Sequence, residues 1–251
     1  MSENPWLCIP VPRPEALLRL VLFHHAGGDA RSFWSWGKLL PKTIEVCSVE
    51  LPGHGRRLAE PLVSDFNRLM DALAQGLGPV RDRPFALFGH SLGGLIAFEL
   101  ARRWHRDGRR RPSSLHVSSC PAPEFSSQLV LTEGMSDADI VAWLDGFGAT
   151  PTEIAGDQDF MSLLLPIFRS DLDLFSSYSY SADEPLSCSL CAYVGEDDPA
   201  VPLASAQAWR HHTSGRFSLH SLTGDHFYWR EGLEKFHQLL LSELGAHGSR
   251  K

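Results

Sequence analysis

Gly89-His90-Ser91-Leu92-Gly93 is the stretch of this sequence with the clearest chemical content. It fits G-x-S-x-G, a pattern that presents a serine as a nucleophile where a strand turns sharply into a helix. An apolar run at 84–89 precedes it and a helical pattern at 92–106 follows, as that turn requires. A serine hydroxyl is a weak nucleophile at neutral pH. It needs a base to take its proton, and the base needs an acid to orient it. In this arrangement the acid and then the histidine follow the serine along the chain. The segments "YVGEDDPAVP" and "SLTGDHFYW" supply both: Asp197 and Asp198 lie just past one apolar run, and His226 lies past the next. His24 and His25 hold an equivalent place but precede Ser91. Asp198 precedes Pro199 and fits G-x-x-D-x-x-V from Gly195 to Val201, which favours it; Asp197 stays open as the alternative.

Acyl transfer develops negative charge on a carbonyl oxygen, which needs two N–H donors. Leu92, directly after the serine, offers one. The loop "HHAGG" (24–28), after an early apolar run, offers the other, and Ala26 is the expected donor. That loop could instead hold a phosphate, but it has neither G-x-G-x-x-G nor a following G-K-[ST].

Convergence of residues so far apart depends on the elements between them. Apolar runs at 17–23, 44–51, 84–89, 115–120, 190–195 and 217–222 predict buried strands. Helical patterns fall near 33–40, 65–78, 92–106, 203–212 and 227–244. Strand alternating with helix predicts an α/β fold with a mostly parallel sheet covered on both faces. Ends of adjacent parallel strands share one edge, so Ser91, Asp198 and His226 should meet there. Residues 124–183 break the rhythm. They predict a helical insertion, with Ser136 capping a helix and Asp139 three residues on, and with Pro166 bending or interrupting a second helix.

Composition narrows the function classes. The chain has 251 residues, 43% hydrophobic and 21% charged, which suits one globular domain over 1–251. A net charge of -7 argues against nucleic-acid binding. No apolar run approaches the length of a membrane helix, and the N-terminus lacks a secretory pattern, so no membrane partner is expected. Five scattered cysteines suit a reduced, cytoplasmic protein. Cys188 and Cys191 form C-x-x-C, but residues three apart on a strand face opposite ways, so they read as core cysteines; no metal and no cofactor are expected. Arg102, Arg103, Arg106, Arg109, Arg110 and Arg111 read as a solvated helix end rather than a docking patch.

The segments "LFHHAGG", "VELPGHGRR", "FGHSLGG", "HVSSCPAP", "LLLPIFRSDLDLFSSYSY" and "GDHFYW" together resemble the type II thioesterases, the editing enzymes of polyketide and nonribosomal peptide assembly lines, within the α/β-hydrolase superfamily. The resemblance runs nearly end to end. The chain departs from it at His24, where the family commonly has proline, and at Cys120-Pro121, where a basic or small residue is usual. It implies an α/β-hydrolase fold and a monomer acting on an acyl or peptidyl carrier protein. Short or aberrant acyl groups would be hydrolysed from the phosphopantetheine arm of that carrier. Ser91 would then lie at the foot of a channel, with 124–183 as a lid and Phe147, Phe160, Leu164 and Phe168 lining an acyl chamber. The alternatives are a small-molecule carboxylesterase with the same triad, an acyltransferase that excludes water, or a non-catalytic carrier-binding partner. A binding protein has no need of all three of Ser, Asp and His.

Overall fold

A computed structural model describes residues 4–128, 135–146, 158–230 and 232–245. Among the described residues there are seven strands, six of them formed by the apolar runs: β1 (Leu7–Cys8), β2 (Leu18–Phe23), β3 (Ile44–Val49), β4 (Phe85–His90), β5 (Ser114–Ser118), β6 (Ser189–Gly195) and β7 (Phe217–Leu222). They lie in the order β1-β3-β2-β4-β5-β6-β7. Every pairing is parallel except β1 with β3. Two-residue β1 is too short to carry a periodic signal, and the sequence did not predict it.

The helices are α1 (Trp36–Leu39), α2 (Phe66–Gly76), α3 (Leu92–Arg106), α4 (Asp137–Gly146), α5 (Gln158–Ser177), α6 (Leu203–Gln207) and α7 (Leu233–Gly245). Strand residues alternate between two cores. Val21, Phe23, Phe85 and Leu87 pack with Leu69 and Leu73 of α2 and Leu95 and Ile96 of α3. Leu20, Leu22, Ala86 and Phe88 pack on the other face with Trp36 of α1 and Phe236 and Leu240 of α7. A strand buried on both faces reads as a continuous apolar run, which is how β4 looks in the sequence. Each such side chain withdrawn from water stabilises the fold by about 1.5–3 kcal/mol.

Two expectations need correction. The last helix begins at Leu233 rather than 227, because residues 225–230 close turns instead: Tyr228 N–H donates to Asp225 O (3.2 Å) and Arg230 N–H to Phe227 O (2.8 Å). Phe227, Tyr228 and Trp229 are buried in that stretch. Their apolar character mimics a helix face. The second correction concerns Pro166, which does not interrupt α5: the helix is continuous from Gln158 to Ser177. An interior proline costs about 3 kcal/mol, but Phe168, Leu172 and Phe175 of the same helix are buried in the core and hold it in place.

Between β5 and β6 the described residues form a 3-10 turn (Pro123–Gln128), α4 and α5. Ser136 and Asp139 make the reciprocal cap that the sequence predicts: Ser136 N–H donates to Asp139 Oδ2 (2.8 Å) and Asp139 N–H to Ser136 Oγ (3.2 Å). Arg169 of α5 reaches Asp137 Oδ1 (2.6 Å) and Met135 O (3.0 Å), tying α5 to the start of α4. Among the described residues no helix is long and apolar enough to cross a membrane.

Candidate active site

Ser91 sits between the end of β4 and the start of α3 with φ +54° and ψ −120°. A non-glycine residue in such a region costs on the order of 1–3 kcal/mol and persists only where its surroundings enforce it. Here they do. Ser91 N–H donates to Ser118 O (2.8 Å) and Gly94 N–H to Ser91 O (2.9 Å). A Cβ on Gly89 would lie 2.0 Å from Gly93 O, and a Cβ on Gly93 would lie 2.2 Å from Phe23 O. Both glycines of G-x-S-x-G are therefore dictated by close backbone crossings, the second against the end of β2.

His226 follows β7 and Asp198 follows β6. Nδ1 of His226 lies 2.9 Å from Asp198 Oδ2 and 3.0 Å from Oδ1. A carboxylate only accepts, so Nδ1 carries the proton and the lone pair of the neutral ring is on Nε2. Asp198 is buried while Asp197 is exposed, so it is Asp198 that reaches the histidine. Burial alone would raise the Asp198 pKa. The hydrogen bond and charge of His226, the Ala200 N–H (2.9 Å) and the Ser119 hydroxyl outweigh it and hold the carboxyl below its ordinary value.

Ser119 is a residue that sequence reasoning missed. It follows β5, has φ +44°, and its one hydroxyl proton is shared between two acceptors, the carbonyl oxygen of His226 (2.9 Å) and the Asp198 carboxylate. The only trace in the sequence is the pair of serines closing "HVSSC". Ser91, Ser119, Asp198 and His226 thus follow four neighbouring strands, β4 to β7, at one sheet edge. His90 packs its ring 5.1 Å from that of His226 and bonds Ser118 Oγ (2.9 Å) through Nδ1. Burial drives the pKa of His90, and that of nearby His25, well down. Neutral neighbours do not oppose a positive charge forming on His226.

Leu92 is the first residue of α3, so its N–H is among the donors a helix leaves unsatisfied. Ala26 lies in the loop after β2, the strand paired with β4 at Phe23↔Gly89. The carbonyl of His25 accepts from Gly28 N–H (3.0 Å) and from His24 Nδ1–H (2.9 Å). A trans peptide is planar, with its carbonyl and N–H opposed. Fixing His25 O therefore aims Ala26 N–H the other way.

Of the expected chamber residues, Phe168 is buried on α5 against Gly27, and Leu164, one turn before it, is half-buried. Phe147 and the Phe160 side chain lie outside the described residues. Cys188 and Cys191 are free thiols, and burial pushes both up to about 12, away from the thiolate that metal or redox chemistry uses. Cys191, His220 and Glu243 bring ligand-type atoms within 4.8 Å of one another. The Glu243 carboxylate already accepts from Arg216 (3.2 Å), Ser218 (3.3 Å) and His220 (3.0 Å). The arginine cluster is less solvated than expected. Arg102 is buried, bonded to Glu99 Oε1 and Ser181 O (both 2.6 Å), while Arg103 pairs with Asp71 and Arg106 with Asp183. These three staple α3 to α2 and to the chain after α5.

The family model of the thioesterase domain matches residues 18–242. The chain belongs to the thioesterase domain family. This thioesterase is 36% identical to linear gramicidin dehydrogenase LgrE of Brevibacillus parabrevis, over 98% of its own chain and 95% of that one. It is 34% identical to the gramicidin S biosynthesis protein GrsT of Aneurinibacillus migulanus, over 96% and 94%. Its structure superposes on the type II thioesterase BorB from the borrelidin biosynthetic cluster with a TM-score of 0.88 and 32% identity, covering 97% and 99% of the two chains. The thioesterase has the α/β-hydrolase fold and is a hydrolase acting on thioesters.

Proposed function

We propose that this thioesterase releases short or aberrant acyl groups from the phosphopantetheine arm of acyl or peptidyl carrier proteins, with Ser91 as nucleophile, His226 as base and Asp198 as orienting acid. The observation that carries the reading is the buried Asp198–His226 pair, two strands from a serine held at φ +54°. His226 Nε2 takes the hydroxyl proton as Ser91 Oγ attacks the thioester carbonyl carbon. The oxyanion is met by the amides of Ala26 and Leu92. Collapse breaks the C–S bond, and the imidazolium returns its proton to the pantetheine sulfur. Water, deprotonated by the same histidine, then attacks the acyl-serine and frees the carboxylic acid and Ser91. That similar chains include GrsT, named for gramicidin S biosynthesis, and BorB, from the borrelidin cluster, supports an assembly-line carrier as substrate. Reduced, unpaired thiols support a cytoplasmic setting, and a monomer suffices for the chemistry. Hydrolysis of a panel of acyl-carrier proteins, set beside simple esters of the same acyl groups, tests the reading. Preference for the esters would instead favour the carboxylesterase.

In this reading residues 124–183 are a lid, and the face of α5 that carries Leu164 and Phe168 meets the acyl chain. Leu164→Trp should lower kcat/KM for long acyl chains at least about tenfold more than for acetyl or propionyl groups, since one methylene contact alone is worth only about 1–3 kcal/mol and a steric block discriminates further. Equal losses on both would remove Leu164 from the chamber.

Charge reversal at Arg109 and Arg110 should leave KM for acyl-carrier substrates unchanged, because the α3 C-terminus lies at the opposite end of that helix from Ser91. A raised KM confined to carrier-borne substrates, and weakened by salt, would make this end a docking patch.

A further inference from the structure

Asp171 is buried on α5, 2% exposed, and takes no part in the triad. Its Oδ2 accepts the backbone N–H of Gly27 (2.7 Å) and faces His54 Nε2 (3.1 Å). His54 is equally buried, and its Nδ1 faces the carbonyl oxygen of Pro52 (2.9 Å). Carboxylate and carbonyl oxygens only accept, so both ring nitrogens donate and His54 is an imidazolium paired with Asp171. Three groups face His54: Asp171 from α5, Glu50 just after β3, and His24 from the loop after β2, its ring 5.1 Å away. Burial presses the His54 pKa down, but Asp171, Pro52 and Glu50 together raise it above its ordinary value. His24 goes the other way, to about 4, through burial and the His54 charge. A buried charge is tolerated only when paired and hydrogen-bonded, and this pair is both.

Phe168, one turn earlier on α5, reaches the same glycine. A Cβ on Gly27, whose φ is +72°, would lie 2.4 Å from Phe168 Cδ2. One face of α5 therefore grips Gly27 twice, with a ring and with a carboxylate.

We propose that Asp171 is a positioning residue for the oxyanion hole, holding through Gly27 the loop whose Ala26 amide receives the charge of the tetrahedral intermediate. The proposal rests on the Ser91 and Ala26 roles assigned above. The peptide on the N-terminal side of Ala26 is fixed by the bonds to His25 O, and the peptide on its C-terminal side by the Gly27–Asp171 bond. With both planes set, the backbone of Ala26 has no freedom to turn its N–H away. Asp171 acts through the glycine and not on the substrate. The same insertion that would cover the acyl chain then also sets the geometry of the reaction.

The test uses an alkyl trifluoromethyl ketone, whose hemiketal with Ser91 would place an oxyanion in the hole, beside steady-state kinetics on an acyl thioester. An oxyanion donor is worth about 10²–10³ in rate, so mis-aiming one in Asp171→Ala, which removes the acceptor for Gly27 N–H, should weaken ketone binding and lower kcat by about 10–100-fold each. KM should move by less than about threefold, since substrate binding before attack does not use the hole fully. Unchanged ketone affinity in Asp171→Ala, with binding abolished in Ser91→Ala, overturns the positioning role alone. So does a loss confined to KM. Undiminished ketone binding by Ser91→Ala overturns the nucleophile assignment instead. If Asp171→Ala does not fold, the wild-type enzyme labelled with 15N-glycine decides: the Gly27 amide should resist hydrogen exchange, and prompt exchange overturns the proposal.

Discussion

Ser91→Ala is expected to fold like the wild type and to lose about 10⁴–10⁶ in kcat/KM. The two bonds that hold the elbow, Ser91 N–H to Ser118 O and Gly94 N–H to Ser91 O, are main-chain bonds and survive the substitution. Alanine meets the same backbone restriction at φ +54° as serine, so the strain is unchanged. Only the Oγ proposed to form the acyl-enzyme is removed. Turnover of an acyl thioester, measured beside thermal unfolding, checks both halves. A folded variant retaining activity within about tenfold of wild type would end the assignment, since residual catalysis from binding and the oxyanion hole is far smaller than that.

The second large effect separates two adjacent acids. Asp198→Asn should cost about 10⁴ in kcat at neutral pH, and Asp197→Asn less than about threefold. Both oxygens of Asp198 lie within 3.0 Å of His226 Nδ1. An amide there can offer N–H groups to that nitrogen and stabilise the tautomer with its lone pair on Nδ1, which leaves Nε2 protonated and unable to take the serine proton. Asp197 is exposed, and its main chain rather than its side chain is engaged, through N–H to Gly224 O (3.0 Å). Asp198 also links stability to pH. The Asp198 pKa is depressed in the folded state, so its contribution to stability is present above the unfolded value of about 4 and is lost as pH falls through the lower folded value. The wild type should therefore show an acid loss of stability in that window which Asp198→Asn lacks.

The sheet was legible because its strands are buried on both faces. Six apolar runs became β2 to β7 within a residue or two at most ends, and alternation with helices pointed to a mostly parallel sheet, though not to its strand order. Local rules also found Ser136 and Asp139, since a cap needs only four residues of context. Ser91, Asp198 and His226 stood out because strand ends on one edge are predictable from the fold class. The misses are tertiary. Whether α5 survives Pro166 depends on what Phe168 and Leu172 pack against. The role of Ser119 depends on which strands flank β5. Asp171 and His54 lie 117 residues apart, and nothing in either local sequence announces that they pair. Arg102 looked like a solvated helix end and is instead a buried staple to Ser181, supplied by a distant segment.

In the proposed reaction an acyl group passes covalently from a carrier protein to Ser91 and then to water. Rapid mixing of the thioesterase with propionyl-carrier protein, acid quench and peptide-level mass spectrometry measures this directly. The peptide containing Ser91 should carry the propionyl mass transiently during turnover, while the carrier returns to its free phosphopantetheine thiol and propionate accumulates. A carrier that stays acylated, or propionate released with the acyl mass found on a residue other than Ser91, would contradict it.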